Sequence, residues 1–522
     1  MPELVREVLD RRGLDHARLL AMPHDSLPDD GPVSGGGVIM SWAADSCNWR
    51  ERSAQMSGVQ LFRYVDLFAG CGGLSLGLEN AGGKSVLAVE KSDMAAQTYY
   101  RNFIDADVDA DDWCRYLEQS LAKQVRSGLV VSELRNVLDG RGFELSDLEI
   151  DVVVGGPPCQ GFSLAGRRNP SDMRNKLPWE FLEFVERTRP RVVVIENVVG
   201  MSRSFAGSAV STFQQVQMAL RDTEPGYVVQ GLSVNAKHFG APQHRPRLMI
   251  LGVRKDLAEA LGVSASERAW VSGYIDEVEP IALSPMPTLR SEDERTVGDA
   301  VGDLLLQQEQ LGGNSSYRDA LAELLVPASG STRSDGIANH VPRKHTTQVI
   351  GRFRLYQWLS REGISHRVVG TLNYGTSEAS AAAVTQLRGA AYPAVAPDGT
   401  VLAADAEEMQ SVIRSFATRK HSQKALRWDE PAKTVVTLPD DYVHPSEPRI
   451  LTVRELARFQ GFPDDFVFMG RETTGAHRRR FEVPQYSQVG NAVSPFLGLA
   501  IGRLIDRLVD DSRGGSEPES SE

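Results

Sequence analysis

The sequence predicts an α/β, doubly wound, Rossmann-like domain whose sheet is interrupted by a long irregular insert. Three observations carry this reading. From Arg63 onward short apolar runs alternate with helical patterns, as in a parallel sheet covered on both faces. The first run leads straight into a glycine turn, AGCGG, at the strand-to-helix position where open α/β sheets bind ligands. The rhythm then fades after Arg254 and resumes near Leu451, so the sheet domain is built from two separated stretches of chain.

The predicted strands follow in order: RYVDLF, KSVLAVE, IDVVVGG, RVVVIENV, YVVQGLSVN and LMILGVR. Their β-branched, almost unbroken apolar character marks strands buried on both faces. Between them PWEFLEFVERTRP and SAVSTFQQVQMALRDTE have helical periodicity, as do LTVRELARFQGFPDDF and the closing SPFLGLAIGRLIDRLVDD. Residues 1–60 form an extension whose SLPDDGPVSGGG stretch reads as flexible. The expected divisions are then 61–255 for the first part of the catalytic domain, 256–448 for the insert, 449–508 for its C-terminal part, and 509–522 for a disordered acidic tail.

With 41% hydrophobic and 24% charged residues the chain is of soluble globular type. No apolar run approaches the roughly 18 residues a membrane span needs, and the charged start MPELVREVLDRRGLDHARLL has no apolar signal core. The four cysteines, Cys47, Cys71, Cys114 and Cys159, form no C-x-x-C pair, which argues against a disulfide framework or a zinc ribbon and for a reducing cytoplasm. A metal site is not expected. The net charge of -12 argues against nucleic acid only as a sum, since RKHTTQVIGRFR, RSFATRKHSQKALR and AHRRR are locally basic. Such runs are usually solvated faces.

Several residues stand where a sheet edge would collect chemistry. Glu90 ends the second strand about twenty residues after the glycine turn, the position from which a carboxylate holds a ribose diol. The turn is not G-x-G-x-x-G, so it serves either close packing or an adenosine-containing ligand, and no triphosphate-binding loop is present. Cys159 follows a buried strand behind Pro157 and Pro158, whose rings restrict the backbone. Alone it reads as a small buried hydrophobe or as a nucleophile. Glu196 is delivered to the same edge by the next strand, where desolvation would favour its protonated form; a cap or ion pair is the plainer reading. Arg245 and Arg247, two apart ahead of a strand, face the same way and with Gln243 suit carbonyl or phosphate oxygens.

Taken together, DLFAGCGGLSLGL, AVEKSDMAAQTYYRNF, VVGGPPCQGFS, VIENV, FGAPQHRPR, RELARFQGFPDDF and QVGNAVSP, in this order through residues 63 to 505, make the chain resemble the DNA (cytosine-5)-methyltransferases. The resemblance implies S-adenosyl-L-methionine against Phe68, Gly70, Gly72, Gly73, Leu74, Glu90, Lys91 and Pro158, with Asn491, Ala492 and Val493 completing the pocket from the far end of the chain. It implies Cys159 as the nucleophile at C6 of cytosine, Glu196 at N3, Arg247 on the O2 side and Arg245 as support for the cysteine and its loop. The base must leave the stack, so residues 160–176 would close over double-stranded DNA, with Gln160, Ser163, Arg167, Arg168 and Gln243 among its contacts. The insert would be a target-recognition domain. The implied setting is a monomer in a prokaryotic cytoplasm, beside a cognate restriction endonuclease or in a related defence system.

Departures from the family pattern are confined. No clear acidic motif for the cofactor adenine stands between Phe103 and Ile150, where Asp139 is the candidate. A tRNA cytosine-5 methyltransferase is the nearest alternative, but its C-F-T-x-x-Y-x-x-Y segment is missing. A catalytically silent DNA-binding relative would have lost Cys159 or Glu196, and both are present.

Overall fold

The computed structural model describes residues 61–158, 176–202, 210–306, 315–330, 337–418, 420, 422–475, 478 and 481–514. The N-terminal extension, the expected 509–522 tail from 515 onward, and Cys159, Gln160, Ser163, Arg167 and Arg168 lie outside the described residues, whereas residues 509–514 continue the final helix and are not a disordered tail.

An eight-stranded sheet organises the molecule. Its strands are β1 Phe62–Leu67, β2 Gly83–Glu90, β3 Leu129–Val131, β4 Val152–Gly155, β5 Val192–Val198, β6 Tyr227–Asn235, β7 Pro246–Arg254 and β8 Trp270–Val271, in the spatial order β3-β2-β1-β4-β5-β7-β6-β8. Neighbours from β3 to β5 are parallel, but β7 runs antiparallel to both β5 and β6. The all-parallel expectation is corrected there. An apolar run does not encode strand direction, and the short connection from Asn235 to Pro246 brings the chain back as a hairpin partner of β6.

The run Val152–Val153–Val154 shows why the strands are apolar without alternation. Val152 and Val154 join one core, with helix α1 (Gly73–Glu79) and the final helix, whereas Val153 joins the other, with α3 (Leu177–Thr188) and α4 (Thr212–Asp222). Period-two side-chain placement feeds both layers. Helix α2 (Asp93–Phe103) starts where β2 ends, with Ser92 accepting from the Ala95 N–H.

A further core gathers Phe353, Tyr356, Trp358, Leu372, Leu387, Met409 and Ile413 from helices α5 (Thr347–Arg361), α6 (Val368–Tyr374), α7 (Ser377–Arg388) and α8 (Ala406–Ser415). Its residues start at Phe353, not at 256. Leu283, Val301, Leu321, Leu426 and Val435 belong instead to the core of the sheet domain, so the structural seam lies well inside the expected insert. Arg354 pairs with Asp398, Lys420 with Asp440, and Arg427 with Asp429.

Helices α9 (Val453–Gln460), α10 (Gln485–Asn491) and α11 (Pro495–Gly514) return the chain to the sheet. Contact is close because glycines line it: a Cβ on Gly77 would meet the Leu499 nitrogen at 2.2 Å, and one on Gly498 the Leu74 carbonyl at 2.7 Å.

Candidate active site

Strand order reverses between β1 and β4, and ligands of open α/β sheets bind at such a switch point, beyond the carboxyl ends of the strands. Both flanking strands end there in the segments singled out by sequence, Phe68–Gly73 after β1 and Gly156–Pro158 after β4.

The glycine turn divides its work. Gly70, at φ 59, has open space where a Cβ would stand, and its N–H donates to Glu90 Oε2 at 2.9 Å. Gly72, at φ 93, packs against Phe103, and Gly73 packs against the chain's far end, where a Cβ would lie 2.3 Å from the Val493 carbonyl oxygen. Close packing is therefore the work of Gly72 and Gly73, whereas Gly70 leaves open space at the strand end. Phe68 and Gly70 are half-buried and Lys91 and Asn491 exposed, whereas Leu74 and Ala492 are core residues.

Glu90 also accepts from the Ser92 N–H at 2.7 Å. Burial pushes its carboxyl pKa up, opposed by those backbone donors. A carboxylate has about four acceptor sites, so after these backbone donors and that of Lys91 capacity remains for a hydroxyl group of a ligand. An open glycine turn facing a carboxylate with spare acceptor capacity fits an adenosine-bearing cofactor. Lys91 pairs with Glu133 at 3.0 Å, just past the end of β3. Asp139 instead caps the far end of helix Leu134–Leu138 and faces Arg135 at 3.6 Å, so the acid at this edge is Glu133.

On the other side of the switch point, Gly155 is required because a Cβ would stand 2.1 Å from the Leu67 carbonyl oxygen, and Gly156 because one would stand 2.9 Å from Glu196 Oε2. Asn197 donates from Nδ2 to the Pro157 carbonyl at 2.9 Å. Glu196 is nearly buried and its Oε1 meets Arg247 Nε at 2.7 Å. The carboxyl is thus one half of an ion pair, the plainer of the two readings of its position at the strand end. Register explains the pairing: Arg247 lies opposite Val198 in β5, one step along the same face from Glu196.

The neighbouring residues do something else. Arg245 is buried and donates to the Val435, Gly490 and Ala492 carbonyls at 3.1, 2.9 and 2.8 Å. Burial, with the charge of Arg247 adding, pulls its pKa well below the ordinary arginine value. It braces the Gly490–Ala492 segment; the loop that Arg245 was expected to support lies outside the described residues. Gln243 is fully buried, donating to the Phe459 carbonyl and Gln460 Oε1 and accepting from the Val435 N–H; that is not the DNA-facing position expected of it. Sequence reasoning passed over Asn197 and Asn235, polar residues at strand ends beside more conspicuous neighbours. Cys71 is the other cysteine at this edge, but burial pushes its thiol up to about 12, where a thiolate is scarce at neutral pH.

The comparisons with known proteins agree with this geometry. The fold is that of a methyltransferase: the crystal structure of a DNA modification methyltransferase encoded within a prophage (E. coli) superposes with a TM-score of 0.51 at 20% identity, covering 86% of this chain and 99% of that one. Residues 62–507 match the C-5 cytosine-specific DNA methylase family, and the chain belongs to it. Type II methyltransferase M.AgeI of Thalassovita gelatinovora is 31% identical over 84% of this chain and 98% of its own length. Type II methyltransferase M.DdeI of Desulfomicrobium norvegicum is 27% identical over 86% and 91%. The match to mouse DNA (cytosine-5)-methyltransferase 1, at 28% identity, covers 85% of this chain and 28% of that protein. The chain is a DNA (cytosine-5)-methyltransferase, of a family that depends on S-adenosyl-L-methionine. Among the described residues no helix is long and apolar enough to cross a membrane, and no cluster of His, Cys, Asp and Glu is placed to hold a metal.

Proposed function

We propose that the protein methylates C5 of a cytosine flipped out of duplex DNA at one specific sequence, acting as a cytoplasmic monomer and as the modification partner of a restriction endonuclease or a related defence system. The observation that carries this reading is the Glu196–Arg247 pair at 2.7 Å beside a Pro157 carbonyl fastened by Asn197, at the edge that also holds Gly70 and Glu90.

S-adenosyl-L-methionine, when bound, supplies the electrophilic methyl group. Phe68, Gly70, Glu90, Lys91, Pro158 and Asn491 would hold it, with Glu90 on the ribose; Gly72, Gly73, Leu74, Ala492 and Val493 shape the pocket from behind. The Cys159 thiolate adds to C6 of the flipped base and pushes electron density to C5. Glu196 hydrogen-bonds or protonates N3, and Arg247, fixed by Glu196, stabilises charge on the O2 side. After transfer a base takes the C5 proton, the C5–H electron pair becomes the C5–C6 double bond, and the C6–S pair leaves with sulfur, which releases Cys159 as its thiolate. Gln160, Ser163, Arg167 and Arg168 would contact DNA from the loop that follows Cys159. The body built on α5–α8 is the target-recognition unit within the 256–448 insert.

Expression in a host lacking cytosine methylation, followed by conversion sequencing, tests this directly. A C5 mark restricted to one motif, lost in Cys159→Ala, is expected. An unmarked genome, or equal marking by the variant, overturns it.

A further inference from the structure

His244 stands between Gln243 and Arg245 at the carboxyl edge of the sheet, three residues before Arg247, and unlike both neighbours it is exposed. Its backbone is gripped from both sides: the N–H donates to the Ala432 carbonyl and the carbonyl accepts from Thr434 Oγ1, each at 2.8 Å. The ring is held as well. Asn235, nearly buried at the end of β6, accepts at Oδ1 from the Arg245 N–H at 2.9 Å, which fixes the orientation of its amide. Asn235 Nδ2 therefore donates to His244 Nδ1, 3.0 Å away.

With Nδ1 an acceptor, the ring proton must sit on Nε2, and among the described residues nothing takes it. A second proton on Nδ1 would set two donors face to face. Burial, then Lys237 and Lys433, hold the imidazole below its ordinary pKa, so the neutral form persists. Lys424 and Arg367 stand past Lys433, with Asp441 and Glu430 opposing them. The carboxylates nearby are already engaged: Glu294 with Lys237 at 2.7 Å, and Glu430 with Lys433 at 3.7 Å on the surface, a pair weak enough to exchange for another anion. A rigid, neutral N–H donor set among cations suits an oxyanion better than a base edge.

We propose that His244 Nε2–H donates to a backbone phosphate oxygen beside the flipped cytosine, with Lys433 supplying charge to the same stretch of strand. This rests on the reading that the chain methylates duplex DNA. It makes His244 a positioning residue: it registers the strand over Glu196 and Arg247 without reading sequence.

The test uses a fluorescent duplex that the wild-type protein has been shown to mark, and the same duplex with single methylphosphonate linkages around the target cytosine. Neutralising one linkage should weaken wild-type binding about tenfold, the scale of one hydrogen bond to a charged group. His244→Ala should bind the unmodified duplex about tenfold more weakly and lose nothing further at that linkage. His244→Gln, which keeps an N–H donor, should recover part of the loss, and cofactor affinity should be unchanged in both. Because the donor is neutral, His244→Ala should leave the salt dependence of binding unaltered, whereas Lys433→Ala should lower its log–log slope by about one. The proposal is overturned if His244→Ala binds as wild type, if no linkage becomes silent in it, or if the loss follows base identity. A wild-type protein that marks no DNA sinks the methylation reading and this proposal with it; marking with no phosphate-linked loss sinks this proposal alone.

Discussion

Asn197 Nδ2 and the Pro157 carbonyl lie 2.9 Å apart, so the residue after Glu196 holds the backbone two residues before Cys159. One side chain thereby couples the strand that carries the acid to the segment that carries the thiol. Asn197→Ala should cut the single-turnover methylation rate about tenfold, through lost positioning, with cofactor affinity intact. Rapid-quench kinetics beside calorimetric titration with S-adenosyl-L-methionine would show it; loss of both together would make Asn197 a general stabiliser instead.

Gly73 and Gly70 make opposite predictions although they share one turn. A Cβ on Gly73 would press on the Val493 carbonyl at 2.3 Å and approach Phe462 at 3.1 Å. Gly73→Ala should therefore cost about 1–3 kcal/mol of stability, read by urea denaturation. Gly70→Ala meets no atom and should cost only the strain of its left-handed backbone, about 1–2 kcal/mol, yet weaken cofactor binding more strongly because the methyl group enters the open mouth.

Arg245→Lys discriminates the brace from the catalytic reading. Arg245 satisfies three carbonyls, and an ammonium at the end of a shorter reach serves fewer of them. Stability should fall by about 2–4 kcal/mol. The KM for S-adenosyl-L-methionine should rise while the KM for DNA holds, since the loosened segment is Gly490–Ala492.

Asp66, buried under the glycine turn, accepts from Ser75 Oγ at 2.6 Å. Burial raises its carboxyl from the ordinary range to about 7, against that hydrogen bond. A raised folded-state pKa means stability present at low pH and lost as pH climbs through the folded value. Asp66→Asn, which keeps an acceptor for Ser75, should gain on wild type steadily as pH rises from the ordinary carboxylate range to about 7. Denaturation midpoints of the two proteins across that window measure the difference; parallel curves would place the titration elsewhere.

Much of this architecture was legible because it is periodic or punctuated. The apolar strands, the glycine turn, Glu90 and the edge position of Glu196 all follow from local pattern. Direction was not: β7 is antiparallel, and a doubly buried strand has the same composition either way. Charge misled in a different way. Arg454 and Arg458, charged residues on a helix that the sequence marked only by its periodicity, are both buried, Arg454 donating to the Ala338 and Pro463 carbonyls and Arg458 to the Ala300 carbonyl and Asp464. Guanidinium groups can be interior when several carbonyls converge on them, and that convergence comes from segments far apart in the chain. Gln243 and Arg245 misled for the same reason.

The packing of Gly73 on Val493, and of Gly77 on the α11 backbone at Leu499, also fixes when during synthesis the enzyme can come into being. A nascent chain that has made β1 to β8, and even the body built on α5–α8, still lacks the segment proposed to close the cofactor mouth. Only when the segment from Asn491 onward has left the ribosome can it be laid against the turn made some four hundred residues earlier. Ribosome-bound intermediates should accordingly hold no S-adenosyl-L-methionine, and a stalled or clipped chain ending before Asn491, stripped also of the helix that covers one face of the sheet, should show no methyl-transfer activity.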